Sequence, residues 1–127
     1  MRYEITFNEN ESLVTIRTYG DLTFNGFQLL LEELIADPKW RAGMNAIVDN
    51  RRASLDTLLL QDLQKISLLV QQLKNKLGSG GRCAIVLSDD ADFTKIAMWK
   101  IMTEPVVGFN IEYFASIVIA EKWLNII

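Results

Sequence analysis

The sequence predicts a single α/β domain, residues 1–127, with a mostly parallel five-stranded sheet, an N-terminal hairpin and helices on the faces of the sheet. Apolar runs of strand length alternate along the chain with longer segments whose apolar residues recur every three or four positions, which is typical of strands joined by crossover helices. A chain of 127 residues is long enough for one such core. The predicted order is β-β-α-β-α-β-α-β-α, with right-handed crossovers.

The first two strands are predicted from alternation. In Tyr3–Phe7 the apolar side chains occupy every second position, and Leu13–Tyr19 resumes the same pattern. The polar segment Asn8–Glu11 between them indicates a turn, so we expect an antiparallel hairpin.

The first helix and the third strand follow. Thr23 can cap a helix whose apolar positions continue to Ile35, and Asp37-Pro38 ends that helix because the residue before a proline disfavours helical geometry. The short apolar run Met44–Val48 predicts the third strand, and we expect a loop from Asp49 onward.

The second helix is predicted from Thr57 to Leu77, with either Asp56 or Thr57 as its cap, and Gly78–Gly81 ends it. Its apolar stripe has steps of three and four residues, which is typical of a helix that covers a sheet. Further leucines either widen the buried face or leave a patch for self-association, so a homodimer is possible; they are Leu58, Leu60, Leu68 and Leu69.

The remaining elements are a strand at Cys83–Leu87, a helix at Ala91–Thr103 that Pro105 ends, a strand at Ile111–Phe114, and a final segment to Leu124. The β-branched Ile117–Ile119 could extend the last strand. Ser116 as a cap favours a terminal helix instead, and we expect that helix.

Composition excludes several functions. The chain has no histidine, which removes the usual Ser-His-Asp and Cys-His catalysis and the commonest transition-metal ligand. The formal charge is −3, and lysines and arginines are scattered along the sequence apart from Arg51-Arg52. A nucleic-acid site normally needs a clustered basic face, so no nucleic-acid partner is expected. We expect no enzymatic activity, no cofactor and no metal.

The chain contains no apolar run long enough to span a membrane, and its first residues lack the apolar region of a signal peptide. The single cysteine, Cys83, lies in an apolar strand, so a buried and unreactive thiol is expected. These observations predict a cytoplasmic protein.

Polar side chains after the third and fourth strands predict a binding edge, because ligands of parallel sheets bind at the carboxyl ends of strands. Asp49 could order the arginines or only accept backbone N–H bonds, and the arginines could bind a phosphate or carboxylate or remain solvated. The acids after the fourth strand are explained by helix capping as well as by Mg²⁺. The predicted contact set is Asp49, Asn50, Arg51, Arg52, Ser54 and Asp89.

Short segments along nearly the whole chain carry a family resemblance. They are Gly20-Asp21-Leu22-Thr23, Met44–Asp49, Ala84–Leu87, Phe93, Tyr113-Phe114 and Ala120…Trp123-Leu124. In these segments the chain resembles the STAS domain of anti-sigma-factor antagonists, in its SpoIIAA-like branch, which overlaps with small Sec14/CRAL-TRIO-like domains. The resemblance supports the predicted fold.

The resemblance also implies a candidate phosphorylation site. Antagonists of this family carry a phosphorylated serine or threonine after an aspartate where the second helix begins, and Asp56-Thr57 is the pair nearest that position. The family continues with small residues, whereas this chain continues with Leu58-Leu59-Leu60. Thr57 is therefore either a helix start or a regulatory phosphosite.

Two functions follow from the sequence. The first is a non-enzymatic regulatory module that recognises a protein partner or small ligand at the carboxyl edge of the sheet. The second, which the Sec14-like resemblance implies, is a carrier or sensor of a small apolar molecule, with the long second helix, Met98 and Met102 lining its pocket.

Overall fold

The computed structural model describes residues 1–125 and confirms the predicted order of elements, with one short extra helix. The strands are β1 (Arg2–Asn8), β2 (Leu13–Asp21), β3 (Asn45–Ser54), β4 (Arg82–Val86) and β5 (Asn110–Phe114). The helices are α1 (Phe24–Ala36), α2 (Leu60–Gln72), α3 (Lys74–Leu77), α4 (Phe93–Thr103) and α5 (Ile117–Trp123). No described helix is long and apolar enough to cross a membrane.

The five strands form one sheet in which spatial order equals sequence order, β1-β2-β3-β4-β5. Strand β1 pairs antiparallel with β2, and the other three pairings are parallel. The predicted α/β fold and its hairpin are therefore confirmed, and the sheet is mixed, with one antiparallel and three parallel pairings.

The two faces of the sheet differ because each parallel strand joins the sheet at the same edge, beside the strand that precedes it in sequence. Crossovers of one hand then place α1, α2 and α4 together on one face, which we call the helix face. Its core joins leucines and isoleucines of those helices to alternate residues of the strands. The opposite face, which we call the open face, carries α5 over β4 and β5.

Several predicted helix ends are confirmed. The Thr23 hydroxyl accepts the N–H of Gly26 at 3.0 Å, and the Ser116 hydroxyl accepts the N–H of Ile119 at 3.3 Å. The segment after Ser116 is thus helix α5 rather than an extension of β5. Asp37 ends α1, as expected of the residue before Pro38.

The predicted end of β3 is wrong. We expected a loop from Asp49, but the strand continues to Ser54 because its second half pairs with β2, up to Asp21 opposite Ser54. This half of β3 is polar, so apolar alternation could not reveal it. It runs past β4, whose last paired residue, Val86, lies opposite Asp49.

The predicted start of the second helix is also wrong. Helix α2 begins at Leu60, and neither Asp56 nor Thr57 caps it. The carboxylate of Asp62 accepts the N–H of Leu59 at 2.9 Å and satisfies the helix end from within the first turn. The helix is interrupted at Leu73 before the single turn of α3.

Gly78 ends α3 where two loops meet. Its φ is +87°, a value that favours glycine, and a Cβ at this position would overlap the backbone of Gly43 and Ala42. The Gly43 N–H donates to the Leu77 carbonyl at 2.9 Å in the same contact. Trp40 closes this end of the domain, its Nε1 donating to the Lys76 carbonyl at 3.0 Å.

Replacement of Gly78 by alanine tests this loop contact. We expect Gly78→Ala to lower the free energy of unfolding by about 3 kcal/mol or more, since backbone strain and overlap add. Gly80→Ala is the matched control, because Gly80 has φ +84° and open space around it. It should cost only about 1–2 kcal/mol. If urea unfolding showed the same decrease in the free energy of unfolding for both variants, the close contact of Gly78 with Ala42 and Gly43 would be contradicted.

Candidate functional site

An irregularity between β2 and β3 organises the predicted binding residues. Arg17 lies opposite Asp49 and Tyr19 lies opposite Arg52, so Asn50 and Arg51 together face the single residue Thr18. Two residues opposite one define a β-bulge, which bends the strand and redirects its side chains. The bulge brings the side chains of both adjacent arginines to the open face.

Asp49 and Arg51 form a two-pronged ion pair. The Asp49 carboxylate accepts the Arg51 Nε–H at 2.9 Å, the Nη2–H at 2.8 Å and the backbone N–H at 3.1 Å. Burial opposes ionisation of Asp49, but the Arg51 hydrogen bonds and the charges of Arg51 and Arg17 outweigh it and lower the pKa of Asp49. Asp49 thus both orders an arginine and accepts a backbone N–H, the two roles considered for it.

Three arginines line one concave pocket on the open face. Arg17, Arg51 and Arg52 surround a volume of about 300 Å³, with Glu4 and Tyr19 on its wall. Glu4 and Arg17 are distant in sequence from the adjacent Arg51 and Arg52. The pairing of β1, β2 and β3 brings them together. The basic residues that are scattered in sequence are therefore partly gathered in space. We name this pocket the arginine pocket.

Asn50 does not join the arginines. Its side chain follows Ala46 and Val48 on the helix face, where it is 3% exposed and its Oδ1 accepts the Thr18 hydroxyl at 2.5 Å. The predicted contact set is therefore split between the two faces of the sheet.

The other predicted site residues lie in loops at the carboxyl edge. The Ser54 hydroxyl accepts the N–H of Asp56 at 3.2 Å, and Asp89 is exposed in the loop after β4. Thr57 is exposed before α2, with its hydroxyl 3.5 Å from the Leu22 carbonyl. Within residues 1–125, no three acidic or cysteine side chains group as a metal site would require.

A cavity of about 140 Å³ lies on the helix face between the sheet and helices α1, α2 and α4. Its walls are almost entirely apolar, with Leu63, Ile66 and Val70 of α2 lining it as the sequence predicted. Met98 and Met102, which we also expected there, are absent from its walls. Met98 instead lies on the exposed side of α4.

Asn50 of β3 and Trp99 of α4 are among the side chains with polar atoms that line this largely apolar cavity. The Trp99 Nε1–H is buried and has no acceptor among residues 1–125. A buried donor without a partner costs about 1–3 kcal/mol, which a ligand acceptor could recover.

Cys83 also lines the cavity, and its thiol is unreactive. Burial raises the pKa of the Cys83 thiol to about 12, so it carries no thiolate at neutral pH. This agrees with the unreactive thiol that the sequence predicted.

Comparison with known proteins gives the fold. No family model and no curated protein matches the sequence. A crystal structure of an uncharacterised DUF3478-family protein with a SpoIIAA-like fold, from Shewanella loihica PV-4, superposes with a TM-score of 0.61. The two sequences are 18% identical over 97% of this chain and 92% of the other. The chain therefore has a SpoIIAA-like fold, as its resemblance implied.

The Asp49–Arg51 pair predicts a pH-dependent stability. Because its pKa is lowered in the folded protein, ionised Asp49 stabilises the fold above about pH 4, and this contribution is lost as the pH falls through the folded value. We expect Asp49→Asn to lower the free energy of unfolding by about 1–2 kcal/mol at pH 7, since Arg51 is partly exposed, and by less at pH 3.

Urea unfolding at pH 7, 5 and 3 measures this difference. The control is Asp89→Asn, at an exposed carboxylate without an arginine partner in the described chain, which should change the free energy of unfolding by less than about 0.5 kcal/mol. If Asp49→Asn lowered the free energy of unfolding by the same amount at all three pH values, the result would contradict the ion pair.

Proposed function

We propose that this protein is a non-catalytic module that binds a small apolar molecule in the cavity of its helix face. The observation that supports this proposal is the cavity itself. Protein cores pack to high density with few voids larger than a water molecule, yet about 140 Å³ between this sheet and its helices is not filled by side chains. An apolar molecule that filled this space would remove apolar wall surface from water, which favours binding.

The walls suggest the chemistry of the ligand. A dry apolar cavity of about 150 Å³ accepts a benzene-sized molecule. The unpartnered Trp99 Nε1–H favours a ligand with one hydrogen-bond acceptor, such as a carbonyl or ether oxygen. We therefore propose a compact, largely apolar molecule that carries a single oxygen acceptor.

Acetophenone and ethylbenzene provide a matched pair of probes, because they are similar in size and only the first has a carbonyl. We expect acetophenone to bind about threefold to tenfold more tightly by calorimetry, since one net hydrogen bond contributes about 0.5–1.5 kcal/mol. Trp99→Phe should remove that preference. Filling the cavity with Ala46→Leu should weaken both probes.

The control variant is Ala36→Leu, which adds the same side chain at an exposed position at the end of α1. It should leave both affinities unchanged. Absence of saturable binding for both probes, or equal binding by the Ala46→Leu variant and the unchanged protein, would contradict the proposal.

A second candidate function is recognition of a protein partner at the carboxyl edge, as the sequence predicted. The observation that favours it is the exposure of these loops: Asp56 and Thr57 are exposed in the turn before α2, and Asp89 is exposed in the loop after β4. Ser54 anchors the base of that turn through its bond to Asp56. A phosphate on Thr57 would add charge to this edge and change the partner that it fits.

Phosphorylation of Thr57 is tested by intact-mass analysis of the protein recovered from its native host. We expect a fraction with the mass of one added phosphate, which Thr57→Val abolishes and the matched variant Thr94→Val, at another exposed threonine, retains. A phosphate that persists in Thr57→Val, or no phosphorylated fraction in any growth condition, would contradict this second function.

Two further features remain proposals. We propose the cytoplasm as the location, on the sequence grounds given above. We propose self-association through the outer surface of α2, because its Leu60 and Leu68 side chains are 51% and 56% exposed.

A further inference from the structure

We propose that the arginine pocket on the open face binds the phosphate group of a small phosphate monoester. This site is separate from the apolar cavity, which lies on the other face of the sheet. The proposal therefore stands or falls independently of the function proposed above.

The charge of the pocket points to an anion. Arg17 and Arg52 form no ion pair within residues 1–125, and Arg51 is matched by Asp49 alone. Glu4 lies opposite Arg17 in the strand register but makes no ion pair with it. Like charges held together without partners repel, and an anion between them removes that cost.

The pocket is also partly organised before a ligand arrives. Asp49 holds the Arg51 guanidinium through Nε and Nη2, which leaves the Nη1 donors for another acceptor. Arg2 lies over the Tyr19 ring, 5.6 Å from its centroid, and this contact supports the ring at the pocket wall. A guanidinium that is already fixed loses less side-chain entropy on binding.

A phosphate monoester fits these features better than a carboxylate. It carries between one and a half and two negative charges near neutral pH and offers three acceptor oxygens, enough for two unpaired guanidinium groups and the remaining donors of Arg51. A single carboxylate would leave one arginine unmatched. Tyr19 offers an aromatic surface to the organic part of the molecule.

A small ligand is favoured over a long polyanion. The protein has 16 acidic and 13 basic residues, so a nucleic acid that extended beyond this pocket would meet a surface of net negative charge. The volume of about 300 Å³ suits one phosphate and a compact organic group.

Calorimetry with phenyl phosphate at fixed ionic strength tests the proposal, with benzoate as a probe of similar ring and single charge. We expect saturable binding of phenyl phosphate, at least tenfold tighter than benzoate. Arg17→Gln and Arg52→Gln should each weaken phenyl phosphate about tenfold, whereas Arg41→Gln, at an exposed loop arginine outside the pocket, should not. Glu4→Gln should strengthen binding, because it removes the negative charge opposite Arg17.

Because Glu4→Gln is expected to increase the affinity for phenyl phosphate, it tests the proposal even where an arginine variant fails to fold. Several results would overturn the proposal: no saturable binding of phenyl phosphate, an equal loss in Arg41→Gln, or weaker binding in Glu4→Gln. Tight binding of a phosphotyrosine peptide or of a single-stranded RNA by a protein that does not bind phenyl phosphate would overturn it as well, in favour of a macromolecular partner.

Discussion

The pairing of β2 with β3 is the constraint on which both proposed sites depend. Regular alternation along β3 places Asn50 on the helix face with Ala46 and Val48, where its Oδ1 accepts the Thr18 hydroxyl. Arg51 lies on the open face, where it donates to Asp49. The bulge opposite Thr18 then brings Arg52 to the open face as well. An unbroken register would alternate the side chains and send the adjacent arginines to opposite faces.

Because the crossover helices all lie on one side of the sheet, one face is apolar and covered, and the other is partly solvated and can carry charged side chains. Helices α1, α2 and α4 cover one face and supply apolar walls to the cavity, while α5 covers only part of the other. Charged side chains on β1, β2 and β3 can stay solvated there without a desolvation cost. An apolar cavity and a polar pocket thus lie on opposite faces of β2 and β3. The two proposed ligands would therefore bind without displacing each other.

The sequence predicted the order of elements because apolar periodicity and caps such as Thr23 and Ser116 are local signals. It could not predict the polar half of β3, which is held by pairing with β2 rather than by its own apolar residues. Nor could it associate Arg17 with Arg52, since only the register brings them together. The walls of the cavity were predicted only in part, with α2 correct and Met98 and Met102 wrong, because a void reflects how side chains of different helices pack. Leucines at helical spacing indicate a buried face but do not show whether that face is filled.

The register of β2 against β3 is the most direct test, and proton–proton NOEs between these strands in the isotope-labelled protein measure it. A bulge predicts contacts of Arg17 with Asp49 and of Tyr19 with Arg52, with Asn50 and Arg51 both near Thr18. Continuous NOEs that pair Thr18 with Asn50 and Tyr19 with Arg51 would show an unbroken ladder. That result would place Arg51 and Arg52 on opposite faces of the sheet and contradict the arginine pocket.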